Sequence, residues 1–399
     1  MADKTLKFFE QRREWSKYKH LVLEYYLRPY LAHVNRRRAP ILLVDLFAGP
    51  GLYEDGTRGS PLILADAATQ YAKRDLGISV LAVEHDNTLF SRLCSSSAQY
   101  GSLVDARVSD FLEVVDEIAE RAQSTTTFLY VDPFNTTRLY LDRLGRVFEA
   151  VSRGGSVEVL LVFMANAFLR CAGACLRAES DAEMVLYDKM VRDAGTADDM
   201  IMMARALWGG DELRSAEFAI RWNEELNAVA GGDYWREIMT LASDNTVQDR
   251  SSAFVNAYKD RLRQWFPITL SFPIYANMTS QLRKYWMVFC TRYEPAIDFI
   301  NRAAATVRVS QYEQWKGGTL FADADVPPPA DTQLLEQRIL EHATQTIEWC
   351  RLRWIVSLDE VGAYTDSIIN NTIKRMLKDG KLVGASGRRV EEKAKIRRA

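Results

Sequence analysis

Ile41-Leu42-Leu43-Val44-Asp45-Leu46-Phe47-Ala48-Gly49-Pro50-Gly51 is the stretch whose reading decides the fold. Four apolar residues in succession predict a short buried strand, a carboxylate closes it, and two glycines follow at once. A parallel α/β sheet presents a nucleotide-sized ligand to its carboxyl edge in this way. Gly49 and Gly51 let backbone approach the ligand where a Cβ would intrude, and Asp45 anchors the turn.

Working outward, the chain supplies further strands that end in acids. Ile78 to Val83 runs into Glu84-His85-Asp86, where this architecture holds ribose hydroxyls. Residues 104–108 predict a third strand before Ser109-Asp110-Phe111, a carboxylate and a ring suited to an adenine. Thr126 to Val131 ends in Asp132-Pro133-Phe134, and Val157 to Phe163 ends at Met164-Ala165-Asn166. Before the first strand, residues 5–33 read as one amphipathic helix. Phe8, Trp15, Leu21, Leu23, Tyr26, Leu27, Tyr30 and Leu31 form its apolar stripe, and Arg12, Arg13, Lys17 and Lys19 lie elsewhere.

The rest of the chain predicts the following domain organisation. The N-terminal helix occupies 1–38, and the first part of an α/β core occupies 39–169. A helical insertion follows at 170–265, then core completion by an edge hairpin and a helix at 266–316. A Gly- and Pro-rich linker spans 317–331, and a winged-helix-like domain with a basic tail spans 332–399. In the last unit Thr365 or Asp366 caps a helix with Ile369, Ile373, Met376 and Leu377 inside. Its other face carries Asn370, Asn371, Lys374, Arg375 and Lys378, and Arg388-Arg389 sits in the following turn. From Lys374 onward there are ten Lys or Arg against three acids. With a whole-chain net charge of −2, a nucleic-acid surface must be local, and this is where the sequence puts it.

Composition excludes several classes. An apolar fraction of 48% and a charged fraction of 26% describe a globular chain, and no apolar run reaches the roughly 18–20 residues of a membrane helix. Five scattered cysteines and a charged N-terminus predict a cytoplasmic protein with reduced thiols. No His/Cys spacing suggests a metal set. The turn lacks Gly-x-Gly-x-x-Gly spacing and no Gly-Lys-Ser/Thr loop exists, which disfavours NAD and excludes a P-loop NTPase. The expected fold is therefore α/β, a Rossmann-like class I methyltransferase sheet, with S-adenosylmethionine as cofactor. In that reading Asp45, Phe47, Gly49, Gly51, Glu84, Asp110 and Phe111 bind the cofactor. Asp132, Pro133 and Phe134 face a nitrogen or oxygen acceptor. A cytosine-C5 mechanism needs a nucleophilic cysteine, and that position holds Pro133-Phe134.

Trp15-Ser16-x-x-Lys19-His20-x-x-Leu23-x-x-Tyr26-Leu27, the Asp45 turn, Gly59-Ser60-Pro61, Asp132-Pro133-Phe134 and Tyr285-Trp286-x-x-Phe289-x-Thr291 together resemble the three-Cys-motif partner proteins. The resemblance covers roughly residues 10–380 and departs at Asn135, where the family commonly has glycine. It implies a class I methyltransferase-like protein working with a three-cysteine protein similar to radical S-adenosylmethionine enzymes, on DNA or RNA. A second expectation stays open: a catalytically inactive methyltransferase-fold subunit that binds nucleic acid and positions a partner enzyme.

Overall fold

The computed structural model describes residues 14–37, 39–71, 77–134, 139–181, 210–241, 246–277, 282–317, 331–384 and 394–399. Phe8, Asn135, Arg388, Arg389 and residues 318–330 of the expected linker lie outside them. Helix α1 (Glu14–Val34) precedes β1 (Ile41–Asp45), α2 (Ser60–Thr69), β2 (Ile78–Glu84) and α3 (Asn87–Ser97). Then come β3 (Val104–Val108), α4 (Phe111–Ala122), β4 (Thr126–Val131), α5 (Leu141–Ser152) and β5 (Ser156–Phe163). Among the described residues the helices that follow are α6 (Ala165–Asp181), α7 (Gly210–Ala230), α8 (Trp235–Thr240) and α9 (Val247–Leu262). The chain then forms β6 (Ile268–Asn277), β7 (Leu282–Thr291) and α10 (Ala296–Gly317).

The seven strands form one sheet in the order β3-β2-β1-β4-β5-β7-β6. The first five are mutually parallel, and β7 runs antiparallel between β5 and β6. This mixed α/β arrangement fits the Rossmann-like methyltransferase sheet expected from the sequence. Strands β1 and β4 are buried along their whole length, as unbroken apolar runs require in a sheet covered on both faces. One face carries α4, α5, α6 and α9. The other carries α1, α2 and α10, with Tyr26 of α1 packed between Phe128 (5.6 Å) and Phe289 (4.9 Å). Glu158 is buried there, accepting hydrogen bonds from the Tyr26 hydroxyl and from Thr291 Oγ1 (2.8 Å).

Two boundaries differ from the sequence pattern. That pattern reads as a helix from Pro295 to about Val307, whereas α10 continues to Gly317. Residues 331–351 read as one helix and instead divide into α11 (Thr332–His342), β8 (Ile347–Glu348) and the start of α12 (Trp349–Asp359). Buried Ala343 and polar Thr344-Gln345-Thr346 separate the two helices, and Trp349 N–H bonds Ala394 O. Helix α13 (Asp366–Lys378), β9 (Leu382–Gly384) and β10 (Lys395–Arg398) complete the C-terminal part, where the strand order is β8-β10-β9, all antiparallel. Thr365 caps α13, and Ile369, Ile373 and Met376 enter a core with Trp349, Leu352 and Ile396. This part docks on α10 through buried polar contacts. Arg353 pairs with Asp298 (2.5 Å), and Asn301 bonds both Tyr364 O (2.8 Å) and Gly362 N (2.9 Å).

Candidate functional site

At the carboxyl edge of the sheet, Asp45 ends β1 fully buried, and its Oδ1 accepts the Phe47 N–H (3.2 Å). Oδ2 is buried with no well-directed hydrogen bond among the described residues. Burial pushes this carboxyl up to about 7; the Ser60 hydroxyl and the Phe47 N–H pull it down, and the charges of Asp132 and Glu84 add to the rise. The turn itself is held from several sides. Leu46 N–H bonds Tyr130 O (3.2 Å), Ala48 N–H bonds Val83 O (2.9 Å) and Gly59 N–H bonds Gly51 O (2.7 Å). Gly49 and Gly51 have φ of 62° and 73°, a region that L side chains rarely adopt.

Glu84 ends β2 with its oxygens engaged by backbone. Oε2 accepts Gly49 N–H (2.9 Å) and Oε1 accepts Asp86 N–H (2.8 Å), so the acid at the second strand ties down the turn at the first. Asp110 is the N-cap of α4, accepting Leu112 N–H (3.1 Å). Phe111 is a core residue, 3% exposed, with its ring 5.6 Å from that of half-buried Phe47.

At the end of β4 the neighbour of Asp132 is one the sequence reading had put on the other side of its helix. Lys19 belongs to the buried face of α1, not to the solvated one, and its ammonium lies 2.6 Å from Asp132 Oδ2. The two side chains are 8% and 9% exposed. Burial by itself would lower the Lys19 pKa, but Asp132, with Tyr285 and Tyr53, outweighs it, and the net shift is upward. Tyr130 OH donates to Asp132 Oδ2 (3.2 Å), the Tyr285 ring lies 5.1 Å from Lys19 Nζ, and the His20 ring lies 6.2 Å from that of Tyr53. Pro133 is buried. Phe134 is 52% exposed; Leu52 (38%), in the loop after β1, and Val108 (47%), at the end of β3, are exposed as well. The signal for Lys19 was its spacing: with Ser16, Leu23 and Tyr26 it falls at i, i+3, i+7, i+10 on the face that packs against the sheet.

The edge thus gathers Asp45, Glu84 and Asp132, with Lys19 paired to Asp132. Because the Asp45 pKa is higher folded (about 7) than unfolded (3.8), the native state binds the extra proton between those values. The corresponding stability is present at low pH and is lost as pH rises from about 4 to about 7. Asp45→Asn is therefore expected to stabilise the ligand-free protein at pH 8 by about 2–4 kcal/mol, and by much less near pH 4. Denaturant melts at the two pH values check this; an equal change at both would reject the assigned pKa.

The candidate nucleic-acid residues sit apart, on α13. Asn371, Lys374, Arg375 and Lys378 are exposed on one helix face. Arg375 is paired with Glu336 (2.5 Å), and Asn370 accepts Trp349 Nε1–H (2.8 Å), so these two also hold the C-terminal part together.

No protein-family model matches the chain, and no curated protein matches it. Among solved structures it is similar to the plantazolicin methyltransferase BamL in complex with a desmethylPZN analog and SAH. That match has 10% identity and a TM-score of 0.30, covering 73% of this chain and 92% of the other. A sarcosine dimethylglycine methyltransferase from Galdieria sulphuraria is similar at 14% identity and a TM-score of 0.23, covering 67% and 84%. Geranyl diphosphate C-methyltransferase from Streptomyces coelicolor A3(2) is similar at 11% identity and a TM-score of 0.21, covering 64% and 72%. Among the described residues no helix is long and apolar enough to cross a membrane.

Proposed function

We propose that the chain binds S-adenosylmethionine at the β1 turn and methylates a nitrogen or oxygen on a nucleic acid or nucleotide. The observation that carries the reading is Asp45 Oδ2, a buried carboxylate oxygen without a well-directed partner among the described residues, beside two positive-φ glycines. Three carboxylates influence one another there and only Asp132 is paired with a lysine, a deficit of positive charge that a ligand bearing ammonium and sulfonium groups would offset. Asp45 would hold the amino group, Gly49 and Gly51 the methionine end, Glu84 the ribose, and Asp110 with Phe47 the adenine side. Bound there, S-adenosylmethionine supplies an already activated methyl group for in-line displacement. What remains for the protein is alignment and proton acceptance. Asp132 and the Pro133 carbonyl accept hydrogen bonds from the acceptor's N–H or O–H, exposed Phe134 packs on a base, and Lys19 positions Asp132.

The same reading includes the division into units at 38, 169, 265, 316 and 331, a winged-helix character for the last of them, and a cytoplasmic location. It also includes membership of the three-Cys-motif partner family, with a radical-S-adenosylmethionine-like partner. One observation favours the alternative of an inactive scaffold: Glu84, Asp110 and Asp132 already have protein donors. Calorimetric titration with S-adenosylmethionine and S-adenosylhomocysteine tests the cofactor assignment. Micromolar binding, weakened at least about tenfold in Glu84→Ala, is the expected result. No binding to either ligand would leave the scaffold reading standing. Because the cationic ligand prefers ionised Asp45, affinity should fall about tenfold per pH unit below about 7 and level off above it, with proton release on binding.

A further inference from the structure

A groove of about 480 Å³ runs along the free edge of the sheet, away from the β1 turn, between β6, the end of α9, α10 and the 358–362 segment. Lys259 and Arg263 of α9, Arg283 of β7 and Arg308 of α10 line it, with Trp286 in its wall. The acids on its rim have partners. Glu360 is paired with Arg308 (2.8 Å) and Arg338 (3.2 Å), and Asp359 with His342 (2.7 Å). The cations are less well matched. Arg263 pairs with exposed Asp260, and Lys259 has no ion-pair partner among the described residues. Arg283 donates to neutral acceptors, Gln248 O (2.9 Å) and Ser252 Oγ (2.5 Å). Its Nε is buried without a hydrogen bond among those residues. Burial, then the charge of Arg263, lowers the Lys259 pKa, and the charge of Asp260 offsets only part of this.

The edge strand itself is a poor template for an added peptide strand. Pro273 has no N–H to offer, and Tyr275 O already accepts Gln311 Nε2–H (3.2 Å). Lys259 and Arg263, one helical turn apart, instead match a group carrying more than one negative charge and several acceptor oxygens. The volume is that of a small-molecule site.

We propose that this groove is a second ligand site, taking a phosphate group of a nucleotide or of a nucleic-acid strand on Lys259 and Arg263. It is independent of the cofactor assignment at the β1 turn. The test titrates the full chain at low salt with ADP and with a labelled single-stranded oligodeoxynucleotide. It compares wild type, Lys259→Gln/Arg263→Gln, and Lys374→Gln/Lys378→Gln on α13. The groove variant is expected to lose at least about tenfold in affinity for a probe that the wild type binds, whereas the α13 variant keeps its ADP affinity. Loss for the oligonucleotide identifies a strand; loss for ADP with no oligonucleotide binding identifies a free nucleotide. Failure of wild type to bind either probe, or equal affinity in the groove variant, overturns the proposal. Thermal melts confirm folding, and S-adenosylhomocysteine titration of the same variant should match wild type, keeping failure here separate from failure at the β1 turn.

Discussion

Gly51→Val is expected to lower S-adenosylhomocysteine affinity more than about 100-fold, a loss of at least about 2.7 kcal/mol. Two effects act together. The backbone at Gly51 has φ +73°, where a β-branched residue is strained. A Cβ there would lie 2.4 Å from Ser96 Oγ and 3.2 Å from Leu93 Cδ1. If Ser96 yields, its hydroxyl leaves Pro50 O (3.0 Å), a hydrogen bond that holds the same turn. Leu93 is fully buried. The turn must therefore move, and with it the Gly51 carbonyl that accepts Gly59 N–H at the start of α2. Gly56 separates strain from collision: its φ is +79°, but a Cβ would meet nothing within 4 Å. Gly56→Ala should then retain binding within a few-fold, whereas Gly51→Ala loses most of it. Wild-type affinity in a folded Gly51→Val protein would remove the β1 turn from the binding site.

The sheet was legible because its signals are local. Apolar runs such as Ile41–Val44 and Phe128–Val131, each followed by an acid, contain in one stretch the burial, the strand end and the turn. The hairpin of β6 and β7 was legible for the same reason. The break after His342 was not: residues 343–346 contain no Gly or Pro, and it depends on Trp349 N–H pairing with Ala394 O, some 45 residues away. The site divides along the same line. Asp45, Glu84 and Asp132 follow from their positions at strand ends, but their partners do not. Whether Lys19 faces solvent or Asp132 depends on how α1 is rotated against the sheet, and a stripe containing Ser16, Lys19 and His20 disguises the buried face as polar. Phe111 shows the reverse error. A ring beside a capping carboxylate reads as a ligand contact, and here it fills the core beneath Phe47.

The Lys19–Asp132 pair yields the second large effect. Either Lys19→Met or Asp132→Asn should destabilise the fold by about 3–5 kcal/mol, because each leaves a buried charge without its counter-charge. The double variant should cost clearly less than the sum, since two neutral side chains need no counter-ion there. Denaturant unfolding of the four proteins measures the coupling; additive losses would mean that the pair does not interact as the 2.6 Å contact requires. The two single variants should then part company in function. Asp132→Asn is expected to keep S-adenosylhomocysteine affinity within a few-fold and to lose turnover once an acceptor is in hand, because the acceptor loses its carboxylate. Lys19→Met keeps that carboxylate but removes the counter-charge of Asp132, whose negative charge already raises the Asp45 pKa, so Asp45 holds its proton to higher pH. The pH at which ligand affinity begins to fall should therefore move upward from about 7 in Lys19→Met. A lysine that merely fills space under α1 would leave that midpoint unchanged, and Lys19→Arg, which restores the charge, should return it towards the wild-type value.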